Sequence, residues 1–286
     1  MDIHAFQQKL RLAAEKGELL FMNCDEAGLK KLEPPEAGTV VALAPHPDDP
    51  ESVALSLKLF AEAGCSVHYI IVCLSPAGVQ DSYALTHAKE NNQLSVENLT
   101  LYKRELRREE QLQSARLAGF LAAPCKFLNM EEDLTGHLVE SPHNARMIEE
   151  ALDECDPDIA IMPYGEDTNS DHVLVYRYFR QSAAKLAARK GKPILALYNR
   201  DPKTVEITEQ LAVPFTVREA DWKARLLRVH RSQHERNLKQ RGHGFDDRIL
   251  RTNSLAWRIL KERAAEPWMD KYPYAETFQV ELITPS

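Results

Sequence analysis

Short apolar runs alternate with amphipathic stretches along the middle of the chain. The apolar runs are rich in Val, Ile and Leu and are bounded by turn residues, which predicts strands at residues 39–44, 67–74, 126–128, 159–162 and 193–198. The stretches between them repeat apolar residues every three or four positions, which predicts helices at residues 50–63, 103–118, 142–155 and 170–188. Strands that are apolar throughout are typical of a sheet covered on both faces. The pattern therefore predicts an α/β fold, a Rossmann-like three-layer sandwich with a mostly parallel sheet.

Helical patterns also occur near both ends of the chain. A first helix is expected within residues 1–17, and a stiff, proline-containing linker follows it before the first strand. We predict an N-terminal helix and linker at residues 1–38, followed by one domain at residues 39–286. Within this domain we expect a core at about 39–200 and a C-terminal extension at about 201–286 that adds helices and strands.

The longest interruption of the pattern is the polar segment from residue 75 to residue 102. Loops of this length are uncommon inside compact domains and are often lids or disordered insertions. We weigh two interpretations equally, a mobile flap over a functional site and a solvated insertion without a role.

Composition and charge narrow the function classes. The chain has 286 residues, 44% hydrophobic and 28% charged, which is enough to bury a sizeable core. Its formal net charge of −7 makes nucleic acid an unexpected partner. The five cysteines are odd in number and lie mostly in apolar segments, as in proteins of a reducing cytoplasm. We find neither a signal-peptide core nor a run of transmembrane length, so we expect a soluble, cytoplasmic protein, and a homo-oligomer stays open.

The first predicted strand ends abruptly in a cluster of charged residues, His46, Asp48 and Asp49, among three prolines. Proline cannot continue the strand, so these side chains must lie on the loop that leaves it. One imidazole and two carboxylates in four residues form a typical ligand set for a zinc-like divalent ion. A catalytic site of this kind needs a third protein ligand and one open position.

A second charged cluster, residues 163–172, follows the predicted strand at 159–162. In open α/β sheets, ligands bind outside the carboxyl ends of the strands, so this cluster and the first one can meet. His172 lies in the first turn of the following helix, where Ser170 or Asp171 could fix the helix start. We take His172 as the third ligand.

Together these motifs resemble a known family. HPDD at 46–49, RREE at 107–110 and EDTNSDH at 166–172 are similar to the PIG-L/LmbE family of N-acetylglucosaminylphosphatidylinositol de-N-acetylase-like zinc hydrolases. Weaker similarity continues downstream, in Lys223 and in the trio His230, Ser232 and Gln233.

The resemblance implies an activity and a role for each matching residue. His46, Asp49 and His172 match the metal ligands, so we expect one Zn²⁺ per chain, with another divalent metal left open. Asp48 matches the general base, and Arg107 matches an arginine that reaches the active site and would contact the substrate. The expected reaction is removal of an N-acyl group, N-acetyl above all, from a small molecule that contains an amino sugar. Metal-activated water would attack the amide while Asp48 accepts its proton.

Two departures from the family pattern bear on this expectation. The usual histidine before the Asp-His pair, linked to transition-state stabilisation and proton transfer, is replaced here by Asn169. An amide can donate a hydrogen bond to an oxyanion but cannot shuttle a proton, so Asn169 is an uncertain catalytic residue. The acid that usually follows HPDD is displaced by one position to Glu51, which we expect to face outwards at a helix start.

Three other functions are weighed against the hydrolase. The chain could be a catalytically weakened relative that still binds a sugar or a nucleotide, with Asn169 recording the loss of hydrolysis. A magnesium-dependent phosphoesterase is disfavoured, because a site of hard oxygen ligands should need no imidazole. A nicotinamide-dependent oxidoreductase is disfavoured by the absence of a GxGxxG motif after the first strand.

The C-terminal extension carries two features without an assigned role. The loop RGHGFDDR, residues 241–248, contains arginines that could hold an anionic substrate group, but a solvated loop or an oligomer contact fits it equally. For His230, His234 and His243 we expect no metal role, because two of them lie in a basic, exposed stretch.

Overall fold

The computed structural model describes residues 1–90 and 98–285. The helices are α1 (Ile3–Lys16), α2 (Ala54–Glu62), α3 (Asp81–Glu90), α4 (Leu99–Ala118), α5 (Pro142–Cys155), α6 (Ser170–Lys190), α7 (Val217–Val229), α8 (Arg231–Arg241) and α9 (Phe245–Ala264). The strands are β1 (Leu20–Phe21), β2 (Thr39–Ala44), β3 (Ser66–Ile71), β4 (Lys126–Phe127), β5 (Ile159–Pro163), β6 (Ile194–Asn199), β7 (Leu211–Phe215) and β8 (Tyr274–Ile283).

All these strands form one mixed sheet in the order β1-β7-β8-β6-β5-β2-β3-β4. The pairs from β6 to β4 are parallel, and β8 runs antiparallel to both of its neighbours. Helices cover both faces of this sheet. The prediction of an α/β fold with a mostly parallel sheet is confirmed.

The alternation of side chains along β2 explains why that strand is apolar throughout. Val40 and Ala42 pack on one face of the sheet with residues of α1 and α2. Val41 and Leu43 pack on the other face with residues of α5 and α6. Because successive side chains of a strand point to opposite faces, a strand between two helical layers needs an apolar residue at every position.

Helix ends follow the local signals in the sequence. The Ser141 side chain accepts a hydrogen bond from the Asn144 backbone at 3.1 Å, and Pro142 begins α5. This helix has the predicted bounds. Gly119 adopts φ +74° after α4, a conformation that glycine reaches without a steric penalty.

The segment from residue 75 to residue 102 contains more regular structure than predicted. It includes α3 at residues 81–90, whose Ala84 packs with Val79 and Leu106 in a small cluster of its own. Residues 91–97 of the same segment lie outside the described residues, and the two interpretations, a mobile flap and a solvated insertion, both stay open.

A buried ion pair joins elements of the C-terminal extension. Lys223 on α7 is fully buried and lies 2.7 Å from Glu276 on β8. The same ammonium group donates to the Asn253 side chain on α9 at 3.0 Å. At the other end of the chain, Phe6 and Leu10 of α1 belong to the main core cluster. The boundary drawn at residue 38 stays a prediction.

No helix within residues 1–90 and 98–285 is both long and apolar enough to cross a membrane.

Candidate metal centre and active site

The two charged loops meet at one edge of the sheet. Strands β2 and β5 are adjacent and parallel, so the loops that follow them leave from the same side. His46 and Asp49 lie on the first loop, and His172 lies in the first turn of α6. Ligand-type atoms of these three residues all lie within 4.8 Å of one another. The imidazole centroids of His46 and His172 are 5.4 Å apart.

Asp49 lies between the two imidazoles. Its Oδ2 atom is 3.4 Å from Nδ1 of His46 and 3.8 Å from Nε2 of His172. The same oxygen accepts a hydrogen bond from the His46 backbone at 2.8 Å, which holds the carboxylate inside the loop. Burial alone would raise the pKa of Asp49, but the neighbouring His172 and His46 outweigh it and lower the pKa to about 2. Asp49 is therefore ionised at neutral pH.

Two further carboxylates hold the outer nitrogens of the imidazoles. Asp171 Oδ2 lies 2.9 Å from Nε2 of His46, and Asp167 Oδ2 lies 3.1 Å from Nδ1 of His172. With protons on these outer nitrogens, the inner ones keep lone pairs directed towards Asp49. Such carboxylate–histidine pairs fix the tautomer and orientation of metal-ligating histidines.

The donor set fits a zinc-like ion. Two neutral imidazole nitrogens and one carboxylate oxygen are three of the four ligands of a tetrahedral catalytic site, which leaves one position open. A second group of Asp167, His172 and Asp201 could also hold a cation. This second group contains only one imidazole, and the Nδ1 atom of that imidazole already bonds Asp167. The first group therefore fits a zinc-like ion better.

Asp48 lies beside this group with a different environment. Its backbone has φ +91°, which is unusual for a residue other than glycine, and its N–H donates to Gln111 Oε1 at 3.0 Å. Arg107 on α4 donates a hydrogen bond to Asp48 Oδ1 and another to the Pro47 carbonyl at 2.6 Å. Burial raises the pKa of Asp48 to about 6, in opposition to the Arg107 charge. Adjacent aspartates thus have pKa values on opposite sides of the ordinary one.

A buried polar network lies behind Asp48 and corrects the expectation for Glu51. Glu51 is 0% exposed rather than outward-facing. Its Oε1 atom accepts hydrogen bonds from Gln111 at 3.0 Å and Ser114 at 2.7 Å, both on α4. His230, also fully buried, lies 3.3 Å from its Oε2 atom. His230 is thus part of the buried interior, and none of the three C-terminal histidines belongs to the cation-holding groups found among the described residues.

All six predicted site residues line one cleft of about 270 Å³. Asn169 is the N-cap of α6, since its side-chain oxygen accepts from the Asp171 backbone at 3.2 Å. The helix start is therefore fixed by Asn169 and not by the predicted Ser170 or Asp171. His137 also lines the cleft, and its Nδ1 atom lies 3.3 Å from Asp171 Oδ2.

Sequence reasoning missed several residues that line this cleft or bond its histidines. Asp171 and Asp167 could have been found as acids beside a candidate ligand, at spacings of one and five residues from His172. His137 and Asp201 lie on separate loops far from both motifs, and only the fold brings them to the cleft.

A family comparison decides the identity of this site. The model of the PIG-L family, described as GlcNAc-PI de-N-acetylase, matches residues 41–183. The chain belongs to the PIG-L family. The matched segment contains both charged loops and α4. Membership of the PIG-L family identifies the chain as an enzyme of the deacetylase type, and it does not favour the alternative of a binding protein without activity.

Solved structures share the PIG-L fold at low sequence identity. The N,N'-diacetylchitobiose deacetylase from Pyrococcus horikoshii is 16% identical with a TM-score of 0.61, and the match covers 97% of this chain and 92% of that one. GalB, the 4-carboxy-2-hydroxymuconate hydratase from Pseudomonas putida KT2440, is 15% identical with a TM-score of 0.59, covering 85% and 95%. A deacetylase of the teicoplanin biosynthetic pathway is 17% identical with a TM-score of 0.53, covering 85% and 98%. At such identities these likenesses concern the fold alone. A comparison with curated protein sequences found no match.

Proposed function

We propose that this PIG-L family member is a zinc-dependent N-deacetylase that removes an N-acetyl group from a small molecule containing an amino sugar. In this proposal His46, Asp49 and His172 hold one Zn²⁺, Asp48 is the general base, and Arg107 contacts the substrate. The deacetylases among the structural neighbours support the reaction, and the one from Pyrococcus horikoshii supports the amino-sugar substrate.

The contrast between Asp48 and Asp49 carries the proposal. A ligand should be ionised and turned towards the imidazoles, as Asp49 is with a pKa lowered to about 2. A base should have a pKa near the working pH and lie in the same cleft as the metal ligands, as Asp48 does with a pKa raised to about 6. Pairs of carboxylates whose pKa values are pushed apart are typical of acid–base sites.

A zinc ion at the three ligands would polarise the acyl carbonyl and make water a stronger nucleophile. Asp48 accepts the proton of the attacking water and passes it to the amide nitrogen as the C–N bond breaks. Acetate and a free amine are then the products. The Arg107 guanidinium holds the Asp48 carboxylate in position through this transfer.

Two polar side chains on the cleft wall complete the proposed mechanism. The Asn169 oxygen is used in capping α6, which leaves its amide nitrogen as a hydrogen-bond donor to the substrate's acyl oxygen. Asp171 lies at Nδ1 of His137, which leaves Nε2 of that ring available to the substrate. We assign to His137 the stabilisation of the charge that develops during the reaction. Asn169 cannot provide this stabilisation by proton transfer.

An acetate-release assay tests the proposed function. The zinc-loaded protein is incubated with a panel of N-acetylated amino sugars, and free acetate and free amine are measured together. Equal amounts of both products are expected with at least one substrate, and Asp48→Asn should retain the metal while losing turnover. Metal-loaded protein that releases no acetate across the panel, or an Asp48→Asn variant with full activity, would contradict the proposal.

A further inference from the structure

Three arginines line the same cleft without an acidic partner. Arg236 lies on α8, Arg241 ends α8, and Arg248 lies on α9. No carboxylate of a described residue comes within 4.0 Å of these three guanidinium groups. Arg236 donates one long hydrogen bond, to the Gly78 carbonyl at 3.5 Å. The three residues are called the arginine wall below.

Two arginines near the arginine wall do have acidic partners. Next to it, Arg228 pairs with Asp246 at 2.6 Å, and Arg251 pairs with Asp247 at 2.8 Å. The chain as a whole contains 43 acidic and 36 basic residues, so carboxylates are in excess. Arginines that stay unpaired in an acidic protein, beside others that are paired, are available to an external anion.

Burial makes the unpaired charges costly. Arg236 and Arg248 are half-buried, whereas Arg241 and the other arginines without a carboxylate partner in the described part of the chain are exposed. Burial, and then nearby Arg107, lower the pKa of Arg236. Burial and nearby Arg241 also lower the pKa of Arg248. The negative charge of Asp201 raises this pKa but does not outweigh them. A bound anion would relieve both the desolvation and the repulsion between like charges.

We infer that the arginine wall binds an anionic group of the substrate, a phosphate or a carboxylate. The wall and the residues proposed to act on the amide line one cleft, so a single molecule carries both groups. The substrate class is then an N-acyl amino sugar with an attached oxyanion. Lys203, half-buried in the loop after β6, also lines this cleft and adds a fourth cationic group. Arginine suits this task because its planar fork can donate two parallel hydrogen bonds to one oxyanion.

The arginine wall comes from α8 and α9, outside residues 41–183 that match the family model. The inference takes the deacetylation reaction from the proposed function. The identification of the anion-binding residues does not depend on that function. Binding and turnover therefore need separate measurements.

Calorimetric titration with inorganic phosphate tests binding alone. Zinc-loaded wild-type protein should bind phosphate, and Arg236→Gln or Arg248→Gln should weaken binding by about tenfold to a hundredfold, the range of one charge-assisted hydrogen-bonded pair. Arg231→Gln on α8 and Arg251→Gln on α9 are matched controls, because both side chains are exposed and neither lines the cleft. Equal weakening in the controls, or no binding by the wild type, would overturn the inference.

Acetate release from three substrates tests the substrate class. N-acetylglucosamine is neutral, N-acetylglucosamine 6-phosphate carries a phosphate, and N-acetylmuramic acid carries a carboxylate. We expect at least one anionic substrate to have a kcat/KM about tenfold or more above that of the neutral one, and Arg248→Gln should reduce that ratio. The preferred anion distinguishes phosphate from carboxylate. A ratio of one in the wild type would refute the anionic substrate class while leaving the deacetylase intact, whereas failure of the deacetylase itself would give no acetate from any of the three.

Discussion

The Arg107 guanidinium donates a hydrogen bond to the Asp48 carboxylate in the buried floor of the cleft. The pair joins α4 to the loop after β2, and the backbone N–H of Asp48 is held by Gln111 of the same helix. Burial raises the pKa of Asp48 to about 6 even with Arg107 beside it. The balance between these two effects leads to a prediction for the pH dependence of the reaction.

Activity should rise with pH as Asp48 loses its proton. A general base works only when deprotonated, so kcat/KM should increase through a pH of about 6, the raised pKa of Asp48, or somewhat below it if a bound cation lowers that value. Arg107→Gln removes the charge that opposes the effect of burial and should move this limb up by about one pH unit or more. The pH profile of kcat/KM measures both. Arg108→Gln, exposed on the same helix, is the control and should leave the limb in place, whereas an unmoved limb in Arg107→Gln would contradict the role of the pair.

Asp171 should control metal affinity without being a ligand. Its carboxylate lies 2.9 Å from Nε2 of His46, and replacement by Asn keeps the shape while removing the charge. We expect Asp171→Asn to weaken zinc binding by about 10–100-fold, as is typical for the partner of a ligating histidine. Zinc titration with a competing chelator measures this affinity. Unchanged affinity would show that Asp171 does not orient His46.

His137 should affect turnover but not metal content. Its ring lines the cleft and bonds the same Asp171, yet it belongs to no group that could hold a cation among the described residues. His137→Gln should lower kcat by about 10²-fold or more, the usual contribution of one positioned catalytic group. Zinc content should equal that of the wild type. His143→Gln, exposed on α5, serves as the matched control, and equal kcat values in both variants would remove His137 from the mechanism.

The buried pair of Lys223 and Glu276 should stabilise the packing within the C-terminal extension. Lys223→Met leaves the Glu276 carboxylate buried without its ammonium partner, which should reduce the free energy of unfolding by about 3–5 kcal/mol. The control is Lys185→Met, which breaks the exposed pair with Glu149 and should cost at most about 1 kcal/mol. Urea unfolding measures both variants. A loss no larger than that of the control would show that the buried pair contributes little.

Much of the fold could be predicted because its signals are local. Helix α5 has the predicted bounds, since Ser141 and Pro142 begin it and an apolar face runs through it. The two ligand loops could be expected to meet, since both follow parallel strands. Helix α3 was missed because its sequence is polar, and the few apolar contacts that hold it come mainly from α4.

The parts that could not be predicted depend on contacts distant in sequence. The sequence around Glu51 is typical of an outward-facing acid at a helix start. In the structure this side chain is buried and accepts hydrogen bonds from α4, about 60 residues later. Asp171 reads as a helix-capping residue, but it bonds His46, which is 125 residues away. No local pattern encodes either pairing.

The metal content of purified protein tests the central claim most directly. Wild-type protein and the variants His46→Ala, His172→Ala and His4→Ala are dialysed against zinc-free buffer and measured by inductively coupled plasma mass spectrometry. His4 is the control, because it is exposed on α1 and distant from the cleft. We predict about one divalent ion per chain in the wild type and in His4→Ala, as three protein ligands with one open position imply, and almost none in the other two variants. Equal metal content in all four proteins would contradict the account.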